Sequence, residues 1–123
     1  MEEIIPVNSH VSFADFKKLD LRVAKIIKVD DHPNADKLYL VTAQIGEDSD
    51  PAKIEKTFVA GIKNSYAKEE LVGKLVVIIN NMEPAVIRGV SSNAMLLAAS
   101  NKDKKNMVVL TVDKPIETGS KVS

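Results

Sequence analysis

The sequence contains no cysteine and only two histidines, at positions 10 and 32. Without cysteine the chain has neither a disulfide framework nor a thiolate metal site, which suits a reducing compartment. His10 and His32 lie too far apart to form a metal-binding pair on one helix, and no H-E-x-x-H or H-x-x-E-H pattern is present. His32, beside a proline, is typical of a surface loop. The sequence therefore predicts no metal site.

Motifs for phosphate binding and for an activated nucleophile are also missing. The patterns G-x-S-x-G, G-x-x-x-x-G-K-[ST] and G-x-G-x-x-G do not occur. Asp30, Asp31 and Asp36 could pair for acid and base chemistry, but a polar turn accounts for them equally well. We expect a chain that is not an enzyme and needs no cofactor.

The chain lacks an apolar run as long as the roughly 20 residues of a membrane-spanning helix. Met1-Glu2-Glu3 is not followed by the apolar core of a secretory signal, so we expect a cytoplasmic protein without membrane contact. Its 123 residues suffice for one hydrophobic core. We predict a flexible arm over residues 1–11 and a single domain over residues 12–123.

The net charge is zero, since seventeen basic residues balance seventeen acidic ones. A basic surface can therefore arise only by segregation. Residues 17–37 hold six basic residues against four acidic ones, whereas residues 47–56 hold four acidic residues against two basic ones. A solvated face explains this modest bias about as well as a nucleic-acid site does.

Short apolar runs separated by turn residues dominate the chain and predict strands. Along the first strand, Leu21, Val23, Ile27 and Val29 are predicted to share one face. The five predicted strands and the helical insert between the third and the fourth match a five-stranded Greek-key barrel of the OB type, so the predicted fold is all-β; a generic β-sandwich is the rival. The strands cover residues 21–29, 37–45, 57–62, 75–79 and 95–99, and the insert covers residues 67–71.

A short helix is predicted before the first strand. Ser12 and Asp15 form the S-x-x-D pattern that satisfies free amides at a helix start. Phe13 and Phe16 follow at helical spacing and are predicted to lie in the core.

An OB barrel binds its ligands with strands two and three and with the loops that join strands one to two and four to five. Here these loops are residues 30–36 and 80–93, and the apolar Val86, Ile87 and Val90 indicate that the second loop is packed. Of the five aromatic residues only Tyr39 and Tyr66 are predicted to be available for base stacking. Recognition of phosphates and folded shape is therefore favoured, with cations from Arg22, Lys25, Lys37 and Arg88.

Three motifs in order resemble the tRNA-binding domain family: residues 16–23 (FKKLDLRV), 32–39 (HPNADKLY) and 89–99 (GVSSNAMLLAA). The resemblance extends from residue 13 to residue 122. The family includes stand-alone tRNA-binding proteins, the carboxy-terminal appendix of methionyl-tRNA synthetase and the endothelial monocyte-activating polypeptide domain.

The resemblance implies an OB fold that binds tRNA with little sequence preference, usually as a homodimer, alone or for a methionyl-tRNA synthetase catalytic chain. It implies tRNA contacts by Asn34, Asp36, Lys37, Ser92 and Met95, although Asp36 could instead hold its own loop as an Asx turn. The alternative is a protein-interaction module, because a peptide-binding, chaperone-like branch belongs to the same family.

A sixth apolar run, residues 107–112, exceeds what a five-stranded barrel needs. Left uncovered, it would be an aggregation hazard. We predict a homodimer interface that uses Met107, Val109 and Leu110, which the family resemblance also implies. The alternative is that the tail, residues 116–122, folds back over the run within one chain.

Overall fold

The computed structural model describes residues 9–50 and 53–123; the predicted arm falls mainly on residues 1–8, outside these ranges. Ten strands and two short helices form the regular structure of the described chain. The elements are α1 (Phe13–Lys17), β1 (Leu21–Asp31), β2 (Tyr39–Gln44), β3 (Glu55–Ala60), α2 (Lys68–Leu71), β4 (Leu75–Ile79), β5 (Ala85–Ile87), β6 (Val90–Ser92), β7 (Met95–Leu96), β8 (Ala98–Ser100), β9 (Met107–Val109) and β10 (Lys121–Val122). Within the described ranges no helix is long and apolar enough to cross a membrane.

Five strands form the barrel wall in the order β3-β2-β1-β4-β7, with antiparallel neighbours throughout. The wall closes between β3 and the chain around β6. There the amide of Val59 donates to Ser92 Oγ at 3.0 Å, and the amide of Asn93 donates to the Thr57 carbonyl at 3.0 Å. This strand order is that of the OB barrel, and the predicted all-β fold with its helical insert is confirmed.

The core fills the barrel with aliphatic side chains around one phenylalanine. Phe58, Ile26, Val41 and Ile78 are fully buried, and Leu71 of α2 is buried with them at one end. Burying a side chain of this size stabilises the fold by about 1.5 to 3 kcal/mol. The helical insert is therefore part of the core.

The prediction that Leu21, Val23, Ile27 and Val29 share one face of β1 is wrong at Ile27, whereas Val23 and Val29 are buried. Ile26 pairs with Ala43 and Lys28 with Thr42, so Ile27 is the extra residue of a β-bulge. Ala24 and Ile26 are buried before the bulge and Val29 after it, so the bulge shifts the alternation by one residue and leaves Ile27 38% exposed. A bulge also bends its strand, which lets the eleven-residue β1 follow the curved wall.

The N-terminal helix α1 forms at its predicted cap but does not enter the core. Ser12 Oγ accepts the Asp15 amide at 3.0 Å. Phe13 is 73% exposed and Phe16 38% exposed, and no residue of α1 is buried, so the predicted core role of these rings is wrong. Helical spacing identifies residues that share a face; it does not identify what that face contacts.

The second predicted loop contains a β-hairpin, β5–β6, in which Ile87 faces Val90 across a two-residue turn. Arg88 and Gly89 form that turn with φ of 52° and 86°. Positive φ at both positions is typical of a type I′ turn, whose twist matches that of the strands. Val86 is 73% exposed, so the prediction that it packs is wrong.

The C-terminal part of the chain forms two separate additions to the barrel. The predicted fifth strand is divided into β7 and β8, and β9 pairs with β8. β10 pairs with the beginning of β1, at Leu21 and Arg22. The predicted extra C-terminal strands are therefore present.

Candidate nucleic-acid interface

Two segments meet at one end of the barrel: residues 32–38, between β1 and β2, and residues 80–94, which include the β5–β6 hairpin. We call them the loop pair. The His32 ring hydrogen-bonds the Ile87 carbonyl at 2.9 Å through Nε2, and Asn34 Nδ2 donates to the Arg88 carbonyl at 3.0 Å. Arg88 Nη2 makes a longer contact of 3.5 Å with the Asn34 carbonyl. These contacts hold the two predicted binding loops together as one surface.

His32 is buried at 5% exposure, although the sequence predicts a surface loop residue. Its Nδ1 accepts the Asn34 amide at 2.9 Å, so one ring bonds to its own loop and to the hairpin. The sequence around His32 shows only a His-Pro pair at the start of a loop. It gives no sign of burial, because the partner at Ile87 lies 55 residues away in sequence.

The loop pair carries two exposed cations. Lys37 and Arg88 are exposed, and they line a shallow groove of about 390 Å³ with Asp36 and Leu38. Neither cation makes an ion pair in the described chain that would neutralise it. A groove bordered by unneutralised cations suits an anionic ligand such as phosphate.

Two further lysines near the first loop were not predicted. Lys63 and Lys68 each place Nζ 3.0 Å from a carboxylate oxygen of Asp31, the last residue of β1. Hydrogen bonds from Lys68 and Lys63 hold the pKa of Asp31 below its ordinary value, and Asp31 raises the pKa of Lys68. Lys68 lies 37 residues from Asp31, so strand and helix patterns did not indicate this cluster.

The tyrosines predicted to be available for stacking serve the core instead. Tyr39 is 4% exposed, and its hydroxyl donates to the Tyr66 carbonyl at 2.7 Å. Tyr66 is half-buried, and its hydroxyl accepts the Val109 amide at 3.1 Å. The prediction that these rings are available is wrong, and the loop pair itself, residues 32–38 and 80–94, contains no aromatic ring besides that of His32.

A family model described as "Putative tRNA binding domain" matches residues 21–121 of this chain. The chain belongs to the tRNA-binding domain family. The family predicted from the three sequence motifs is thereby confirmed.

The sequence of this tRNA-binding domain is similar to part of several methionine-tRNA ligases. It is 54% identical over 112 residues to the methionine-tRNA ligase of Nanoarchaeum equitans, an alignment that covers 91% of the chain and 13% of the ligase. The Pyrococcus horikoshii enzyme is 50% identical over 92% of the chain and 14% of the ligase. The chain thus spans about one seventh of the length of these enzymes.

A solved structure with the same fold carries a different description. The CsaA chaperone protein of Picrophilus torridus matches with a TM-score of 0.80 and 30% identity, over 93% of this chain and 100% of that one.

The remaining predicted site residues of the tRNA-binding domain lie apart from the exposed groove. Arg22 Nε lies 2.7 Å from Asp20 Oδ1, and its Nη1 donates to the Gly119 carbonyl at 3.1 Å, which ties β1 to the segment before β10. Lys25 is exposed but lies about 20 Å along β1 from Asp31. It borders a different groove, of about 680 Å³, with Gln44.

Ser92 and Met95 flank the closure of the barrel. Ser92 is buried at 5% exposure, and its hydroxyl accepts the Val59 amide and donates to the Ala94 carbonyl. In this position it fixes the end of the second loop against β3. Met95 is 46% exposed on β7.

The predicted dimer residues divide between core and surface. Val109 is 7% exposed and packs within the core of a single chain, and Met107 packs partly against that core. Leu110 is 40% exposed and neighbouring Val108 56% exposed. The outward side of this run is therefore formed by Val108 and Leu110.

Proposed function

We propose that this domain binds tRNA non-catalytically through the loop pair, by contacts with phosphates and with folded shape. The observation that carries the proposal is the groove beside Lys37 and Arg88, on loops tied together through Asn34. Phosphate contacts position a nucleic acid without reading its bases, so little sequence preference is expected. Zero net charge favours an affinity that is weak and sensitive to salt.

The methionine-tRNA ligase relatives suggest where this activity is used. We propose that the domain raises the tRNA affinity of a methionyl-tRNA synthetase in the cytoplasm, either joined to the catalytic chain or beside it. A tethered or associated binding domain increases the effective concentration of tRNA near its partner.

A titration of labelled tRNA at several salt concentrations tests the proposal. Affinity should fall linearly on a double-logarithmic plot as salt rises. Folded tRNA should compete better than a single-stranded oligonucleotide of equal charge, because the exposed loops present no stacking platform. Equal competition at matched salt would contradict recognition by shape, and an affinity independent of salt would contradict phosphate contacts.

The likeness to a CsaA chaperone protein supports one alternative, a module that binds apolar peptides. Apolar contacts respond little to moderate salt, whereas phosphate contacts weaken steeply. A labelled apolar peptide titrated beside tRNA therefore separates the two functions.

We also propose that the domain is a homodimer, and that helix α1 contributes to the interface. Five-residue helices are unstable alone, yet no residue of α1 is buried in the single chain. Phe13, Phe16 and Leu19 line a groove of about 200 Å³ with Val122 of β10. A second copy of the chain would cover this apolar groove. On the sixth apolar run, Leu110 and Val108 are the candidate interface residues.

A further inference from the structure

The His32 ring makes a buried connection between the two halves of the loop pair. Both of its nitrogens are 2.9 Å from a backbone partner: Nδ1 from the Asn34 amide, and Nε2 from the Ile87 carbonyl. A buried polar group of this kind is costly to leave without partners. The ring therefore fixes how far the hairpin lies from the first loop.

These two partners determine the protonation state of the ring. The Asn34 amide can only donate, so Nδ1 must carry no proton; the Ile87 carbonyl can only accept, so Nε2 must carry one. The neutral Nε2–H tautomer alone satisfies both. A second proton at Nδ1 would turn an acceptor toward the Asn34 N–H into a donor and would break that bond.

Asn34 links the His32 ring to Arg88, the exposed cation of the hairpin. Asn34, whose backbone is held by His32, donates through Nδ2 to the carbonyl of Arg88. Arg88 itself is held at a φ of 52°, a conformation uncommon for any residue but glycine. A Cβ on Gly89 would lie 3.4 Å from Asn34 Nδ2, so the two loops are in close contact at the turn.

We propose that His32 is a positioning residue for tRNA binding: its neutral ring holds the loop pair in the binding arrangement, and its protonation releases it. This inference rests on the proposed function. Charged groups on the elements around the ring are of both signs. They include Arg88 on the hairpin and Glu83 before it, Asp36 and Lys37 on the first loop, and, at the end of β1, Asp30, which Lys28 engages, and Asp31, which Lys63 and Lys68 engage.

The sign of the pH effect distinguishes this role from that of an ordinary surface histidine. A surface histidine that gains a positive charge attracts phosphates and strengthens tRNA binding as pH falls. Release of the loop pair should instead weaken binding as pH falls. The chain offers a matched control, because its only other histidine, His10, is exposed.

The experiment measures tRNA affinity at fixed salt at about pH 8 and about pH 5.5, on either side of the usual histidine range. Wild type should lose about tenfold in affinity at the lower pH, and His10→Gln should behave like wild type. His32→Gln keeps a donor toward Ile87, and His32→Asn keeps an acceptor for the Asn34 amide. Each should bind several-fold more weakly than wild type at about pH 8 and change little with pH.

Thermal melting at about pH 8 identifies variants that merely fail to fold. Among folded proteins, a wild-type affinity that stays constant or rises on acidification would overturn the inference, as would a His32→Gln variant that retains the wild-type pH profile. NMR of the free chain supplies a readout without tRNA: the amide signals of Asn34 and Arg88 should shift with pH in wild type but not in His32→Gln. If wild type binds no tRNA, the proposed function fails, and this NMR comparison alone decides whether His32 holds the loops.

Discussion

Helix α1 and strand β9 are both short apolar segments at the edge of the barrel, yet only β9 enters the core. Val109 of β9 is 7% exposed, whereas Phe13 of α1 is 73% exposed. The difference follows from how each segment is attached. β9 pairs with β8, and its amides at Met107 and Val109 donate to Ser65 and Tyr66 at 3.0 and 3.1 Å.

Among the described residues, the hydrogen bonds that attach α1 to the barrel lie at its C-terminal end. Asn81 Nδ2 donates to the Lys18 carbonyl, and the Asp20 amide donates to Asn81 Oδ1. These bonds fix where the helix ends but leave its apolar face uncovered. Of the two, the segment that is hydrogen-bonded along its length is the one that completes the core.

The largest expected effect is that of a charge at Val109. Val109→Asp should destabilise the fold by about 3 to 5 kcal/mol, because it buries a carboxylate without a partner. Val86→Asp is the control, since Val86 is 73% exposed on the β5–β6 hairpin and should cost less than about 0.5 kcal/mol. Urea unfolding measures both. Similar unfolding midpoints for the two variants would show that β9 is not part of the core.

Replacing the exposed rings of α1 should change assembly and leave the fold intact. Phe13→Ser with Phe16→Ser should reduce the mass in light scattering from that of a dimer to the 13.4 kDa of one chain. Val86→Ser is the control, because Val86 is equally exposed on the β5–β6 hairpin. A wild-type mass of 13.4 kDa at micromolar concentration would contradict the dimer, and a dimeric double variant would contradict the role of α1.

Asp20 connects the end of α1 to the barrel. Its carboxylate accepts from Asn80 Nδ2 at 3.0 Å and from Arg22 Nε at 2.7 Å, and the Asn80 amide followed by Arg22 holds the pKa of Asp20 below 3.8. A lowered pKa contributes stability that is present above the unfolded value and is lost as pH falls through the folded value.

Asp20→Asn should therefore lower the unfolding free energy by about 1.5 kcal/mol at neutral pH, toward the lower end for hydrogen bonds to a charged group. The difference from wild type should shrink as pH falls below 3.8, the ordinary aspartate value. Asp113→Asn, at an exposed position, is the control. A deficit that persists unchanged in acid would mean that the Asp20 charge is not what stabilises the end of α1.

Local pattern predicted the barrel but not the contacts that decide burial. Strand runs and turn residues indicated the five strands and their order, and Ser12 indicated the start of α1. The bulge at Ile27 and the exposed face of Phe13 depend on curvature and on what lies opposite, which periodicity does not contain. The OB arrangement likewise identified both loops of the candidate site.

The chemistry within those loops was less predictable. His32 and Ser92 carry polar groups typical of exposed turns, yet both are buried. Each is held by a partner far away in sequence, at 55 and 33 residues respectively. Such pairings follow from the closed barrel and not from the residues beside them.

The smallest expected effect concerns the cations of the loop pair. We expect these cations to bind tRNA phosphates, whereas α1 binds a second copy of the chain. Removing Lys37 or Arg88 should lower the slope of log affinity against log salt by roughly 0.7 to 0.9 for each phosphate that is no longer neutralised. Lys53→Ala is the control, because this exposed lysine stands just before the start of β3, at the end of the strand away from residues 32–38 of the loop pair, and should leave the slope unchanged.

Arg22→Ala should lower the stability of the fold, because Asp20 and Gly119 already engage its guanidinium. It should change the slope of log affinity against log salt little. None of the loop-pair variants should alter the mass in light scattering, and the α1 double variant should keep the wild-type slope for each chain. An unchanged slope in both Lys37→Ala and Arg88→Ala would remove the loop pair as the phosphate-binding surface. A slope that falls equally in Lys53→Ala would mean that phosphates are held by charge spread over the whole barrel.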